Sequence, residues 1–511
     1  MNKRRILIVG GGTAGWLTAA YLAKALRLSE RSQLEVTVLE SPDIGVVGVG
    51  EGTFPTIRTT LQFLGIDEAR FIRETNATLK QGIRFVDWAQ GPAGGASSSF
   101  FHPFEAPFYA DGINLVPYWL LQDEASRLPF AQAMTIQQRV ADALRAPKRA
   151  TEAPYAAPLN YAYHFDAAKL AQLLAEHARQ LGVRHVQGTV TQVALDAQGA
   201  IAHLDTPQHG RFEADLFVDC TGFRAELIGK ALGTPFTSAR GVLFADRALA
   251  CKLPVNAPDA ALESCTIATA HEAGWIWDIG LNGSRGLGCV YSSDHLDDDR
   301  AAAILRRHAG ASDDADLALR SIPFAPGYRE RQWVKNCVAV GLSAGFLEPL
   351  ESTGLVLIEA AVGMIAEMLP HSGPMEAPAR RFNELMAMRF ENIINFLKLH
   401  YCLSGRTEPF WRDNAARTTV PEPLADLLEQ WRLRPPGRFD FALDTETFAF
   451  FNYQYILYGM GFRTELGAGR DDFPRVDEAN KLFAKIQRFA DRAVADLPSH
   501  RALLQQLTTT R

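Results

Sequence analysis

An α/β fold is what this sequence predicts: a largely parallel sheet with covering helices, continued into a mainly helical C-terminal part. Three observations predict it. A short β-branched run leads straight into a glycine-rich turn and an Ala/Leu-rich helix. A second β-branched run ends on an acid. Two later apolar runs, near residues 214–221 and 338–341, also end in glycine, and the region beyond residue 371 carries helical rather than alternating patterning.

Taken in order, Arg5 to Val9 (RILIV) is short and apolar, as a central parallel strand buried on both faces must be. Gly10-Gly11-Gly12-Thr13-Ala14-Gly15 follows, a G-x-G-x-x-G, and Trp16 to Leu26 reads as the helix after it. Glycines suit this turn because it is tight, because a pyrophosphate must approach the backbone, and because helix and strand must pack closely. The helix N-terminus then offers free N–H donors to phosphate. Glu35 to Leu39 is the next strand, and Glu40 at its end is placed to accept hydrogen bonds from a ribose. Strand, turn, helix and acid together predict a Rossmann-like dinucleotide site; a tight βα turn without a ligand is the plainer alternative. Ala214 to Thr221 (ADLFVDCT) before Gly222, and Val338 to Gly341 before Leu342-Ser343-Ala344-Gly345, are further strand-to-glycine junctions. Junctions so far apart fit a long two-dinucleotide flavoprotein fold with insertions better than a compact NAD domain. By fold analogy that favours FAD. No second glycine fingerprint for NAD(P)H is visible, which favours an external source of reducing equivalents.

Composition narrows the classes. The chain has 511 residues, 47% hydrophobic and 22% charged, which excludes disordered, collagenous and coiled-coil classes for most of its length. A net charge of −6 argues against a dedicated nucleic-acid binder. The cysteines at 220, 251, 265, 289, 337 and 402 form no C-x-x-C pair and no zinc-ligand spacing, so reduced, buried thiols and no metal are expected. Asn2-Lys3-Arg4-Arg5 before Ile6 to Val9 has the look of a secretory signal, but the run stops at the glycines, and the dinucleotide turn explains it better. No window offers ~18 uninterrupted apolar residues, so a soluble cytoplasmic protein is expected, with no membrane contact. Asp294 to Arg300 lacks the glycine and closing glutamate of a calcium loop and reads as a solvated helix start.

Four segments carry a family resemblance: Gly10 to Trp16 (GGGTAGW), Gly48 to Pro55 (GVGEGTFP), Gly274 to Ile279 (GWIWDI) and Phe346 to Gly354 (FLEPLESTG). In this order they resemble the flavin-dependent halogenases of the tryptophan/indole halogenase family, over nearly the whole chain. The resemblance implies a two-component enzyme. A separate NAD(P)H-dependent flavin reductase supplies FADH2, which reacts with O2 to a flavin hydroperoxide. Chloride or bromide attacks it to give hypohalous acid, which passes through an internal tunnel to a lysine beside a small aromatic, indole-type substrate. The ring is then chlorinated or brominated.

The resemblance also implies roles by residue. FAD would be held by Gly10, Gly12, Thr13, Ala14, Gly15, Trp16, Glu40, Gly52, Val190, Leu342 and Leu355. Lys80 would be catalytic. It lies in Thr75 to Phe85 (TNATLKQGIRF), expected as a helix with Leu79 and Ile83 at neighbouring helical positions. An inward lysine costs desolvation free energy and needs a carboxylate or a chemical role; the bland alternative is a snorkelling surface lysine. Its ammonium could hydrogen-bond hypohalous acid, or its amine could form a haloamine. Glu351 would be its partner, holding the lysine charged or taking the ring proton; alternatively it is an acid at a helix N-terminus. Thr353 and Gly354 would bind halide with free N–H groups, with Ser352 between the flavin and substrate sides. Trp275 and Trp277, at i and i+2 on one strand face, would wall substrate from flavin, or form an ordinary aromatic core pair. The last proline of that motif is Gly280 here.

His102 and Phe104, after the Gly91–Ser99 loop, would flank the substrate ring, as would Phe451 and Tyr455 in a C-terminal region rich in aromatics. The set that grips the charged end of free tryptophan is not found: Asn452-Tyr453-Gln454-Tyr455 matches it poorly. This favours free indole or another uncharged arene. The expected modules are a first FAD-binding part (1–90), a substrate-side insertion (91–150), a second FAD-binding part with the halide site (151–370) and a helical substrate module (371–511), forming one continuous unit. Scaffold helices are expected at Arg381 to Cys402 and Asn480 to Leu507, with a linker and short helix in Pro421 to Pro436. A homodimer is an open expectation that no motif supports. The competing functions are an FAD-dependent monooxygenase or oxidoreductase, and a flavin-binding protein without halogenating activity.

Overall fold

The computed structural model describes residues 3–43, 45, 50–92, 97–255, 261–312, 315–441 and 447–509. They form two compact units: Met1–Ala77, Phe165–Arg240 and Phe324–Glu391 make the first, and Thr78–His164, Gly241–Pro323 and Asn392–Arg511 the second. The fold is mixed α/β, as the patterning predicts. These units divide the chain differently from the four modules drawn from the sequence, since 78–90 and 241–323 fall in the second unit. Among the described residues no helix is long and apolar enough to cross a membrane, and no group of three or more His, Cys, Asp or Glu could hold a metal ion.

The first unit is built on a six-stranded sheet. Its order is Arg184–Gln187, Leu34–Glu40, Arg4–Val9, Leu216–Asp219, Cys337–Ala339, Trp333–Val334. All pairings are parallel except the last. The central strands are apolar at their middles, as strands of a buried parallel sheet are: Ile8, Val38, Val218 and Val338 are all fully buried, while the edge strand Arg184–Gln187 is mostly polar. The helix Thr13–Ala25 follows the first strand. Asp219 closes the Leu216–Asp219 strand. Its buried carboxylate accepts the N–H groups of Thr221, Leu227 and Ile228 at 3.0, 2.9 and 2.8 Å, so its charge is spread over the turn that follows.

The second unit is built on a seven-stranded sheet. Its order is Arg320–Pro323, Arg247–Pro254, Ser284–Tyr291, Gly274–Leu281, Thr266–His271, Gly82–Val86, Ser99–Pro103. Only the Thr266–His271 and Gly82–Val86 strands run parallel among these neighbours. The register sets Phe100, Phe85, Ala268, Trp277 and Gly288 side by side across the sheet. With the two-residue period of a strand, His102 and Trp275 share that face. Phe85 and Phe100 stack at 4.8 Å between centroids. Gly288 is required there, since a Cβ would stand 2.0 Å from the Trp277 ring.

Two expectations need correction. Lys80 is not on a helix. The helix Glu68–Thr75 stops at Asn76, which turns left-handed with φ 53°, and Thr78–Lys80 is a strand. An Asn tolerates that turn through its short polar side chain, and Thr78 brings a β-branched residue to the extended segment. The C-terminal helix is also broken. Val476–Asp496 and His500–Thr509 are separate helices, because Pro498 drives the preceding Leu497 into the extended region (φ −79°, ψ 142°). The other scaffold elements are close to expectation: Glu376–Cys402 is one long helix, Glu422–Trp431 the short one, and Asp298–Ala309 starts at the charge run with Asp297 accepting the Arg300 N–H at 2.7 Å. All six cysteines are free, and all but Cys402 are buried.

Candidate functional site

In the first unit the three strand-to-glycine junctions converge at the C-terminal ends of parallel strands. The Gly10 N–H donates to Leu39 O at 2.9 Å, Cys220 N–H to Val9 O at 2.8 Å, and Val340 N–H to Asp219 O at 3.0 Å. Each glycine has its own reason. Gly10 has φ +117°, and a Cβ there would lie 2.2 Å from Cys220 O. A Cβ on Gly15 would lie 1.9 Å from Gly10 O, so helix and turn touch directly. Gly341, with φ +75°, brings the third junction against Ala14, which a Cβ would meet at 2.7 Å. Around Gly12 the situation reverses: a Cβ would meet nothing within 4 Å among the described residues. The open space therefore lies at the second glycine, the one that must leave its backbone accessible to a pyrophosphate. Gly12 is the N-cap of Thr13–Ala25 and makes no side-chain cap, so the first amides of that helix face this space without one.

Glu40 ends the second strand with its carboxylate folded against Gly11. Its Oε2 pairs with His185 Nε2 at 2.8 Å, and His185 in turn meets the Trp16 ring edge-on at 4.9 Å between centroids. Val190 packs on the core that includes Val9, Leu39 and Phe217. Leu342 sits in the short Gly341–Ser343 turn, and Leu355 is buried in the Thr353–Met368 helix. Gly52 ends the short strand Gly50–Gly52; Gly48 and Val49 of the same motif lie outside the described residues. Glu51 on that strand is pushed up to about 7, by desolvation first and by Asp166 second. These residues fit a dinucleotide such as FAD: an open glycine, unspent amides, and an acid one strand over.

The same unit carries the Glu351 segment. Glu351 ends a short turn, Pro349–Glu351, and is buried. Ser352 follows with φ 59° and ψ 36°, a left-handed conformation that costs a non-glycine residue roughly 1–3 kcal/mol. That twist starts the Thr353–Met368 helix abruptly. Thr353 is buried, while Gly354 is exposed and a Cβ on it would meet nothing. The first N–H groups of the helix are thus presented without a side-chain cap.

Lys80 lies in the second unit and is fully buried. Its strand pairs antiparallel with Ala162–Asp166, Lys80 opposite Ala162. The Nζ stands 5.4 Å from the centroid of the Phe104 ring, within range of a cation–π contact. Phe104 is held in place: its N–H reaches Gln137 Oε1 at 2.8 Å and Gln81 O at 3.3 Å. His102 is buried, its Nε2 sits 3.2 Å from Asn452 Oδ1, and its ring lies 6.1 Å from Tyr455. Tyr455 and Phe451 both belong to the Phe450–Gly459 helix; Tyr455 is packed against Phe130 at 5.3 Å, and Phe451 meets Phe450 at 5.9 Å. Trp275 and Trp277 stand on one strand, 6.2 Å apart. Trp277 Nε1 and Tyr455 Oη are both buried and have no hydrogen-bond partner among the described residues. Residues 442–446, which precede the Phe450–Gly459 helix in the sequence, lie outside the described residues.

Sequence patterning missed the groups that hold this strand. Thr78 Oγ1 donates to Gly280 O at 2.7 Å, His164 Nε2 lies 2.8 Å from Thr266 Oγ1, and Leu79 N–H donates to His500 Nε2 at 3.0 Å. His164 is pushed well below the usual histidine range, by burial first and then by the Lys80 charge. No short-range spacing signals His500, which is 421 residues from Leu79.

Over residues 5–469 the chain matches the family described as tryptophan halogenase. It is 38% identical over 483 residues to the tryptophan 6-halogenase SttH of Streptomyces toxytricini, covering 90% of each protein. Among solved structures it is similar to a tryptophan halogenase from Shewanella frigidimarina, with 40% identity, a TM-score of 0.94 and coverage of 99% and 98%. It is also similar to Xcc4156, a flavin-dependent halogenase from Xanthomonas campestris, with 34% identity, a TM-score of 0.89 and 99% of each chain covered.

Proposed function

Because this chain belongs to the tryptophan halogenase family, we propose that it replaces a ring hydrogen of an uncharged, indole-type arene with chlorine or bromine, and that Lys80 is the residue on which the transfer depends. The chain is a flavin-dependent halogenase, so its cofactor is FAD and its co-substrate a halide. A separate NAD(P)H-dependent flavin reductase provides the reduced form. When bound, reduced FAD with O2 supplies the oxidising equivalent that turns halide into hypohalous acid; transfer to the ring then releases water.

The remaining roles are those of the chain's own side chains and amides. Gly10, Gly12 and Gly15 leave the backbone open for the pyrophosphate, the amides of Thr13 and Ala14 face it, Trp16, whose N–H closes the first helical turn on Gly12 O at 3.0 Å, lines the cofactor with its ring, and Glu40 takes the ribose. Gly52, Val190, Leu342 and Leu355 line the cofactor. The N–H groups of Thr353 and Gly354, at the start of a 16-residue helix, favour the halide through the helix dipole. Lys80 holds the electrophilic halogen, either as an ammonium donating a hydrogen bond or as an amine carrying the halogen. His102, Phe104, Phe451 and Tyr455 face the arene, Trp275 and Trp277 keep it from the flavin, and Ser352 stands at the head of the halide helix. Glu351 accepts the ring proton.

One observation carries this reading: a fully buried lysine Nζ aimed at an aromatic ring, on a strand fixed at several points. A buried lysine is expensive unless it has a partner or a task. Relatives named as tryptophan 6- and 7-halogenases point to an indole ring. Phe104 beside Lys80, and the poor match of Asn452-Tyr453-Gln454-Tyr455 to the set that grips the charged end of tryptophan, favour an uncharged molecule over a zwitterion, whose desolvation costs more. Incubation with a flavin reductase, NADH, FAD, bromide and either indole or L-tryptophan, read by mass spectrometry, tests the reading. Bromoindole should form faster than bromotryptophan, and no product should form without the reductase. A hydroxylated product without bromine would contradict it.

A further inference from the structure

We infer that His500 is a positioning residue for Lys80: its imidazole Nε2 accepts the Leu79 N–H and closes the open edge of the strand on which Lys80 is carried. This rests on the catalytic reading of Lys80 given above.

The strand Thr78–Lys80 is only three residues long. One edge is paired, with Thr78 opposite His164, Leu79 opposite Tyr163 and Lys80 opposite Ala162. The Leu79 N–H donates instead to His500 Nε2 at 3.0 Å. An N–H can donate only to an unprotonated nitrogen, so the ring proton is on Nδ1, which faces Leu262 O at 3.3 Å. Both ring nitrogens are therefore engaged, and the tautomer is set by the protein. Burial pushes His500 down to about 4, so the ring remains an acceptor at neutral pH.

The imidazole is itself anchored. The His500 N–H donates to Leu144 O at 2.9 Å, and the Ala146 N–H to Pro498 O at 3.0 Å. Gln81, next to Lys80, donates its backbone N–H to Ser264 O at 2.7 Å and its side-chain Nε2 to Arg145 O at 2.9 Å. Segments 144–146, 262–264 and 498–500 thus form a clasp around the lysine strand. The helix break at Pro498 has a purpose here: it lets His500 begin a new helix pointed at Leu79. A short strand bonded on one edge alone would open readily, and misplacing a catalytic group by about 1 Å can cost on the order of 10²-fold in rate.

The test compares His500→Leu, which removes the acceptor, with His500→Gln, whose Oε1 restores one. Each is assayed for halogenation of indole, FAD affinity and hydrogen exchange at the Leu79 amide, with Lys80→Met in parallel. His500→Leu should lower kcat roughly tenfold, a partial share of that misplacement cost, with KM for indole and FAD affinity unchanged and faster exchange at Leu79. His500→Gln should recover most of the rate. Parental kcat in the leucine variant despite fast exchange at Leu79 would overturn the inference, as would equal impairment in both variants. If the leucine variant does not fold, His500→Gln against the shorter His500→Asn decides: a good rate for Gln and a poor one for Asn supports the acceptor role, and equal rates overturn it. Activity surviving in Lys80→Met would overturn the reading beneath the inference as well; an inactive Lys80→Met beside a fully active His500→Leu would overturn the positioning role alone.

Discussion

Among carboxyls and imidazoles, the most strongly shifted groups differ in kind between the two units, carboxyls in the first and imidazoles in the second, although His177 in the first is also lowered and Glu263 in the second also raised. In the first, two carboxyls are kept from ionising easily: Glu51 and Glu359 are both pushed up to about 7, chiefly by desolvation. Glu359 is clasped by the hydroxyls of Thr56 and Thr60, which pull the other way. In the second, imidazoles are kept neutral: His271 and His500 are pushed down to about 4 by burial, and His164 is held well below its usual range, by burial first. On the proposed function, the first unit receives an anionic cofactor and a halide, and it gains from shedding negative charge. A unit that buries Lys80 gains from keeping further positive charge away from it. Uncharged surroundings in each unit leave the few functional charges to dominate.

Gly10→Ala should break the first unit and spare the second. The left-handed φ and the 2.2 Å approach to Cys220 O leave no room for a methyl group. Strain and overpacking together should cost about 3–5 kcal/mol, seen as loss of FAD binding and a lower urea midpoint. Glu351→Gln should reduce kcat about 100-fold, ~2.7 kcal/mol of barrier, with the thermal midpoint unchanged; an unchanged rate would leave Glu351 only a role at the helix start. Gly12→Ala sharpens the contrast with Gly10. Space is available there, so the fold should persist while FAD affinity falls about tenfold, ~1.4 kcal/mol. A Gly12→Ala protein that binds FAD as tightly as the parent would remove the pyrophosphate from this turn.

The smallest effect is one of pH. A carboxyl whose folded value is raised favours the folded state below its unfolded value near 4.5, and that contribution fades as pH rises toward 7. A histidine whose folded value is lowered favours the folded state above 6.5, and its contribution fades as pH falls toward 4. Between pH 7 and 5 the two units should therefore move in opposite directions. Hydrogen exchange should show greater protection in the Arg4–Val9 and Leu216–Asp219 strands and less in Thr78–Lys80 and Thr266–His271. Parallel changes in both sets would show that these groups do not govern the units separately.

Local patterns made the first unit legible. A β-branched run, a glycine triplet and an acid one strand later are all short-range signals, and the three junctions meet because parallel strands bring their C-terminal ends together. The tryptophan pair was legible for a similar reason, since i and i+2 share a strand face whatever lies around them. Lys80 was recognisable as a residue but not as a strand residue. Thr75 to Phe85 has apolar positions compatible with either period, and the left-handed Asn76 that ends the helix is a conformational choice with no patterning of its own. His164 and His500 carried no signal, because a buried imidazole is selected by partners far away in sequence, at Thr266 in one case and Leu79 in the other.

The most direct measurement is a single-turnover reaction of Lys80→Met, loaded with reduced FAD and then mixed with O2, bromide and indole, scoring brominated ring and free hypobromite separately. Hypobromite without bromoindole, at parental FAD affinity, is the expected result. Bromoindole at the parental rate would show that Lys80 has no part in the chemistry.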